Sequence, residues 1–436
     1  MSDKKKHNFF DKPVKRRTFI KYGAAAATGV ILSPLSPLIK ISPVGATGEV
    51  RIGWITGMTG FAGPWARTFN QVFTQAVDEF NEAGGFKSLG GAKLKIVLAD
   101  SKTDLKLQAS LTEKMINVDK IDIIMGAAGS ALEMVTSAIC NKYGAINVGG
   151  STSDGLTERG LEYYFRVACK ASANGKCAAQ FAWHMYHDIG KKFKNVGVIH
   201  SDDAWGTSAG KTVEAEIKKH PEWNNKGRIA YPPAKMVDAT DYIARAKGQG
   251  IEVLFQSSTP ESGIIIQQAV KSSNYNPQAN VHAHGAPYKK EYVDALGKDA
   301  EYVFCATQFV SDMLKKYPKN VVDFCGRYEK RYKGEEVDDN GGVAGMLLAT
   351  MIDAIERAGS TDPDKIREAL LETDMWVGAW PWLIAGQGVK FDETHHNARA
   401  ITNMHQMHDG KLRCVWPEKF RTTQWVWPVP EWKDRA

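Results

Sequence analysis

Hydroxyl-bearing residues gather at three places where a predicted strand gives way to a helix: Ser130, then Ser151-Thr152-Ser153, then Ser257-Ser258-Thr259. Hydroxyls and backbone N–H groups at helix N-termini suit a carboxylate, because that end of a helix carries partial positive charge. The same residues also suit plain capping. Ser130-Ala131-Leu132-Glu133 has the spacing of a capping box, and Thr259-Pro260 reads as an N-cap with proline at the first helical position. Both readings stand at this level. Trp205 opens another predicted helix and offers a flat ring for stacking. Trp54, Phe61 and Trp65 flank a first loop carrying Thr56, Met58 and Thr59, although Trp65 also suits the first buried position of its helix. Seven tryptophans from Trp376 to Trp432 are expected to pack the C-terminal part of the chain.

Catalytic patterns are missing where they would be sought. No GxSxG, HExxH, phosphate-binding loop or GxGxxG after a strand occurs. His282 and His284 stand two residues apart at the end of one strand, and His284 is the candidate for a polar lining role. His395-His396 reads as a solvated loop pair rather than a metal site. The six cysteines (Cys140, Cys169, Cys177, Cys305, Cys325, Cys414) have neither CxxC nor Cys/His metal spacing. Buried free thiols are expected, with Cys169 and Cys177 the pair to form if any does. No metal, cofactor or catalytic residue is expected.

The elements that must position these residues alternate with some regularity. The apolar run Val50–Thr56 precedes a helix over Trp65–Asn81, whose Trp65, Phe69, Val72, Phe73, Ala76 and Phe80 recur at helical spacing. Strands near 93–99, 121–125, 145–148 and 163–167 enclose two further helices. The pattern restarts at 173–187 and runs through strands near 195–200, 228–231, 251–256 and 280–283. Such alternation predicts α/β architecture: two doubly wound, Rossmann-like lobes with a hinge and an interlobe cleft. Ligands of such sheets bind at the carboxyl ends of strands. Residues 403–408 and 411–416 flank Asp409-Gly410 and read as a β-hairpin.

Charge is distributed unevenly. The formal charge of +7 suggests a nucleic-acid partner until it is located. Residues 1–46 hold nine Lys/Arg against two acids, which is the whole excess, so no nucleic-acid partner is expected. That segment reads as a cleaved export signal: Arg16 and Arg17 in Arg-Arg-x-Phe-Ile-Lys, an Ala/Gly-rich stretch, then Val44-Gly45-Ala46. It resembles a twin-arginine signal, which implies the twin-arginine translocase as a partner and a periplasmic destination. Ser33, Pro34, Ser36 and Pro37 interrupt the apolar run short of the ~20 residues a membrane span needs.

Several runs carry a resemblance over about residues 48–410. They are Ile52-Gly53 with Thr59-Gly60, Ala76–Gly85, Gly126–Ser130, Gly149–Thr157, Tyr164-Phe165-Arg166, Asp202–Gly206, Thr240-Asp241-Tyr242 and Ser262–Val270. In order and spacing they resemble the Leu/Ile/Val-type periplasmic solute-binding proteins of ABC importers. The resemblance implies a type I periplasmic-binding-protein fold, with three hinge crossings and closure on a small molecule. It implies delivery to a permease and ATPase at the inner membrane, and no catalysis. It places ligand contacts at Ser130, Ser151, Thr152 and Ser153 in the first lobe, and at Trp205, Ser258, Thr259 and His284 in the second. The implied domains are 47–168 and 302–390 for the first lobe, 169–301 for the second, and a tail at 391–436 returning to the second. Amino-acid-binding members hold the ligand ammonium with an acid in the loop that here reads His284-Gly285-Ala286-Pro287-Tyr288. The matching position is Ala286, and a buried ammonium without a carboxylate is costly. Asp202, Asp203 and Glu261 are the substitutes in reach. A small carboxylate with an aromatic or aliphatic body is therefore expected over a free amino acid, with leucine and isoleucine the alternative. A ligand sensor or a periplasmic enzyme on the same fold are competing readings.

Overall fold

The computed structural model describes residues 48–188 and 192–435. The expected signal, with Arg16, Arg17 and cleavage after Ala46, lies outside the described residues. Among those described, no helix is long and apolar enough to cross a membrane.

The first sheet is built from β1 (Glu49–Thr56), α1 (Gly63–Glu82), β2 (Lys93–Asp100), α2 (Leu105–Asn117), β3 (Ile123–Met125), α3 (Ser130–Tyr143), β4 (Ile146–Gly149) and β5 (Tyr164–Arg166). Its five strands run parallel in the order β2-β1-β3-β4-β5. Alternate side chains of β1 serve opposite faces, as the pleat requires. Ile52 and Trp54 join Phe69 and Phe73 of α1, with Trp54 stacked on Phe69 at 5.5 Å. Ile55 joins Met115, Ile116 and Cys140 of α2 and α3.

The second unit comprises α4 (Ala171–Asp188), β6 (Asn195–Ser201), α5 (Ala204–Ile217), β7 (Asn224–Tyr231), α6 (Thr240–Gly248), β8 (Val253–Ser258), α7 (Pro260–Ser272), β9 (Ala279–Gly285), α8 (Lys290–Leu296) and β10 (Phe304–Thr307). The chain then forms α9 (Lys319–Arg331), α10 (Asp339–Ala358), α11 (Pro363–Leu371), β11 (Asp374–Trp376), β12 (Gly388–Lys390), β13 (Asn403–His408) and β14 (Lys411–Trp416). The second sheet has seven strands in the order β14-β13-β10-β9-β8-β6-β7, with the hairpin β13–β14 antiparallel at one edge. Val198 and Phe255 face α4 and α5, whereas Ile199 and Leu254 face α6 and α7.

Two expected boundaries are corrected. Residue 302 does not begin a return to the first lobe, because β10 is hydrogen-bonded between β9 and β13. The chain leaves the second sheet only after Thr307. Residues 391–397 likewise remain beside the first sheet: the amide of Arg166 donates to His395 and that of Asn397 to Arg166, each at 2.9 Å. The three crossings are therefore residues 167–170, 308–318 and 398–402. The pair His395-His396 is not a solvated loop. His395 stacks on Phe165 at 4.3 Å, and Nδ1 of His396 accepts from Nε of Arg166 at 3.2 Å. All six cysteines are buried and free.

Candidate ligand pocket

A pocket with about 670 Å³ of empty space, part of it open to solvent, lies between the two sheets. Its first-lobe wall begins with an unusual helix end. The residue preceding α3 is Gly129, which supplies no side-chain cap, so Gly129, Ser130, Ala131 and Leu132 present the helix N-terminus to the pocket. The hydroxyl oxygen of Ser130 accepts from the amide of Ser153 at 3.1 Å.

The capping-box reading of Ser130–Glu133 is corrected. The Glu133 carboxylate, fully buried, turns to the neighbouring loop and accepts the amides of Gly150 and Ser151 at 3.1 Å and the hydroxyl of Tyr164. Burial holds this carboxyl above its ordinary range against those bonds. From the other side the buried Arg166 guanidinium donates to the carbonyls of Thr152 (3.4 Å) and Ser153 (2.6 Å) and to the hydroxyl of Thr157 (2.7 Å). The 150–157 loop is thus held between a buried acid and a buried base. Neither was singled out from the sequence for this work, since the direction in which each side chain turns is not legible from residue type or spacing.

The predicted residues separate into two groups. Ser130, Ser151, Thr152, Trp205 and His284 line the pocket. Ser151 also donates its hydroxyl to the carbonyl of Ala127 at 3.0 Å. Ser153 is turned away, and its hydroxyl donates across the cleft to the carbonyl of Ala204 at 3.2 Å. Ser258 faces Nδ1 of His282 at 3.3 Å, inside the second lobe. Thr259 is the N-cap of α7, accepting the amide of Ser262 at 3.4 Å. These three lie outside the lining, their hydroxyls turned to partners within the protein.

The remaining wall is aromatic. Phe61, Trp65 and Phe69 of the first lobe face Trp205 and Tyr288 of the second. Trp65 and Trp205 meet edge to face across the cleft at 6.1 Å. Trp205 has room because its neighbour is Gly285, whose φ is +114° and whose missing Cβ would stand 3.0 Å from the indole. The indole N–H groups of Trp65 and Trp205 are buried without a protein acceptor.

Carboxylates are scarce in this lining. Ala286 is fully buried and carries no charge. Asp202 and Glu261 are exposed. Asp203 lines the pocket, but it is the N-cap of α5, accepting the amide of Gly206 at 2.8 Å, and burial raises its pKa. Asp339 stands behind His284, bonded to its Nε2 at 2.8 Å. Among the described residues no group of three or more His, Cys, Asp or Glu is placed to hold a metal ion.

Two α/β lobes that enclose a small, largely apolar pocket between strand ends define a solute-binding clamp. A family model described as periplasmic binding protein matches residues 49–411, and the chain belongs to that family of solute-binding proteins. Leu/Ile/Val-binding protein homolog 7 of Brucella suis biovar 1 is 26% identical over 404 residues, covering 89% of this chain and 96% of that protein. The branched-chain amino acid transporter substrate-binding protein of Streptococcus pneumoniae, solved with isoleucine, superposes with a TM-score of 0.73. It shares 19% identity and covers 85% of this chain and 100% of its own. An ABC-transporter solute-binding protein of R. palustris, solved with benzoate, gives a TM-score of 0.72 at 13% identity, covering 84% and 95%. The type I periplasmic-binding-protein fold is therefore shared.

Proposed function

We propose that this chain is the extracytoplasmic binding component of an ABC importer, capturing a small carboxylate with an aromatic or aliphatic body. The carrying observation is the asymmetry of the pocket. One wall offers hydroxyls and the N-terminus of α3, and the facing walls offer rings. A carboxylate at the helix end and an apolar body against the rings of Trp65 and Trp205 satisfy both. The hydroxyls of Ser130, Ser151 and Thr152 and the ring of His284 are the polar contacts in this reading. The closed lobes then present the complex to a membrane permease and its ATPase. The benzoate-bound neighbour supports this ligand class.

A second reading is a branched-chain amino acid, favoured by Asp203 in the lining and by the Leu/Ile/Val-binding relatives. Calorimetry with benzoate, 4-methylpentanoate, L-leucine and L-isoleucine separates the two. Binding of the acids with little heat from the amino acids supports the proposal. Tight stoichiometric leucine binding, with no response to 4-methylpentanoate, overturns it in favour of the second reading.

The route of export is part of the same proposal. Arg16→Lys combined with Arg17→Lys is expected to hold the full-length precursor in the cytosol, read by fractionation and blotting. Normal processing of the double variant would point to the general secretory route.

A further inference from the structure

We infer that Asp339 is a positioning residue for ligand capture: one carboxylate sets the tautomer of His284 and fastens that ring to the crossings between the lobes. The inference rests on the reading of His284 as a pocket contact. Asp339 sits in the first turn of α10 and is 1% exposed. Its Oδ2 lies 2.8 Å from Nε2 of His284. Its Oδ1 accepts the amides of Gln308 at 2.8 Å and Phe309 at 3.0 Å, both in the second crossing.

The connection continues through buried and half-buried groups. The side-chain oxygen of Gln308 accepts the amide of Cys169 in the first crossing at 2.9 Å. The Cys169 thiol meets Oδ1 of Asn174 at 3.2 Å, and the same oxygen accepts the hydroxyl of Thr402, in the third crossing, at 3.0 Å. The pocket histidine is thus joined by hydrogen bonds to all three strands on which the lobes hinge. Apart from Cys169 with Asn174 and Gln308 with Phe309, none of these groups is near another in sequence.

The chemistry of Asp339 is specific. A carboxylate only accepts, so it draws the ring proton to Nε2 and leaves Nδ1 as an acceptor. Asparagine at this position separates tautomer from fold. Its amide oxygen still serves Gln308 and Phe309, but its NH₂ must donate to Nε2, which moves the ring proton to Nδ1. Alanine removes both functions and leaves two buried amides without acceptors.

The test compares wild type, Asp339→Asn and Asp339→Ala as ligand-free ¹⁵N-labelled proteins at pH 8. Long-range ¹H–¹⁵N spectra report the His284 tautomer, with His284→Gln identifying its signals. The expected wild-type form carries the proton on Nε2 and the asparagine variant carries it on Nδ1. The alanine variant is expected to melt roughly 5–10 °C lower, a loss largely restored by asparagine. Benzoate is then the binding probe, with at least a 10-fold change in Kd expected for Asp339→Asn, since the variant turns Nδ1 from an acceptor into a donor and the benzoate carboxylate only accepts. A wild-type ring protonated on Nδ1, or the same tautomer in wild type and Asp339→Asn, overturns the inference. So does an asparagine variant that changes tautomer yet binds benzoate as tightly as wild type. Should wild type itself ignore benzoate, the functional reading is at fault and the ligand-free spectra still decide the role of Asp339.

Discussion

Trp205 is 6% exposed and touches rings from both lobes, so its indole supplies contact area to anything held in the cleft. Trp205→Ala is expected to weaken binding by about 2 kcal/mol, roughly 30-fold in Kd. Calorimetry with whichever acid of the panel binds wild type measures it, and an unchanged Kd would place the ligand elsewhere. Glu133 works differently, through the loop rather than the ligand. Removing its carboxylate orphans two buried amides and the Tyr164 hydroxyl. Glu133→Ala should therefore cost about 3 kcal/mol of stability. Urea denaturation measures that cost, and a loss below about 1 kcal/mol would contradict the pinned-loop picture. Ser130, Ser151, Thr152, Trp205 and His284, which line the pocket, were legible as candidates because hydroxyls and aromatics at strand–helix junctions are visible as types in a pattern. The supporting contacts of Glu133, Arg166 and Asp339 were not legible, because they depend on where a buried side chain turns and which partner it meets there. The candidates included Ser153, Ser258 and Thr259, whose hydroxyls have the right type but are turned to other partners.

At the scale of elements, the short turn opening at Asp154 bridges the lobes. Its carboxylate accepts the amide of Ser172 at 3.0 Å and the hydroxyls of Ser172 and Ser208, while Ser153 reaches Ala204 on the same helix as Ser208. These contacts hold the 150–157 loop against the N-terminal turns of α4 and α5. Asp154→Ala is expected to leave the ligand-free protein with a larger radius of gyration in solution scattering. An unchanged profile would mean that the bridge does not govern closure. Helices and strands were largely legible in the sequence because hydrophobic periodicity survives without tertiary context. The hairpin Asn403–Trp416 was legible through its Asp-Gly turn, which takes positive φ at both residues. The place of β10 was not. A strand buried on both faces reads the same in either sheet, and only its hydrogen-bonded neighbours assign it.

Across the whole molecule, burial keeps several histidines neutral. It draws His282 and His396 down to about 3 and His405 to about 4. In the unfolded chain a histidine titrates near its ordinary value of about 6.5, so between the two values the unfolded state holds more protons. Stability is then fully present above about pH 6.5 and falls as the pH drops towards 4. Melting temperatures taken from pH 7.5 to 4.5 should decline, and His405→Gln should flatten part of the slope. A melting temperature constant over that range would contradict neutral burial. Ligand binding should raise the melting temperature and shrink the radius of gyration together, since a solute held by both lobes favours the native, closed arrangement.

Residue types and their local spacing set the alternation of strands and helices, the two-lobed class, the neutrality of residues 47–436, and the chemical character of the pocket's candidates. Those properties depend on residue type and local spacing, which each segment carries alone. Tertiary structure decided which hydroxyls face the cleft, how Glu133 and Arg166 grip one loop, and how Asp339 joins His284 to the crossings. Each of these depends on the direction of a side chain and on a partner supplied by another part of the chain. Direction and partnership arise only when the two sheets are formed and brought together.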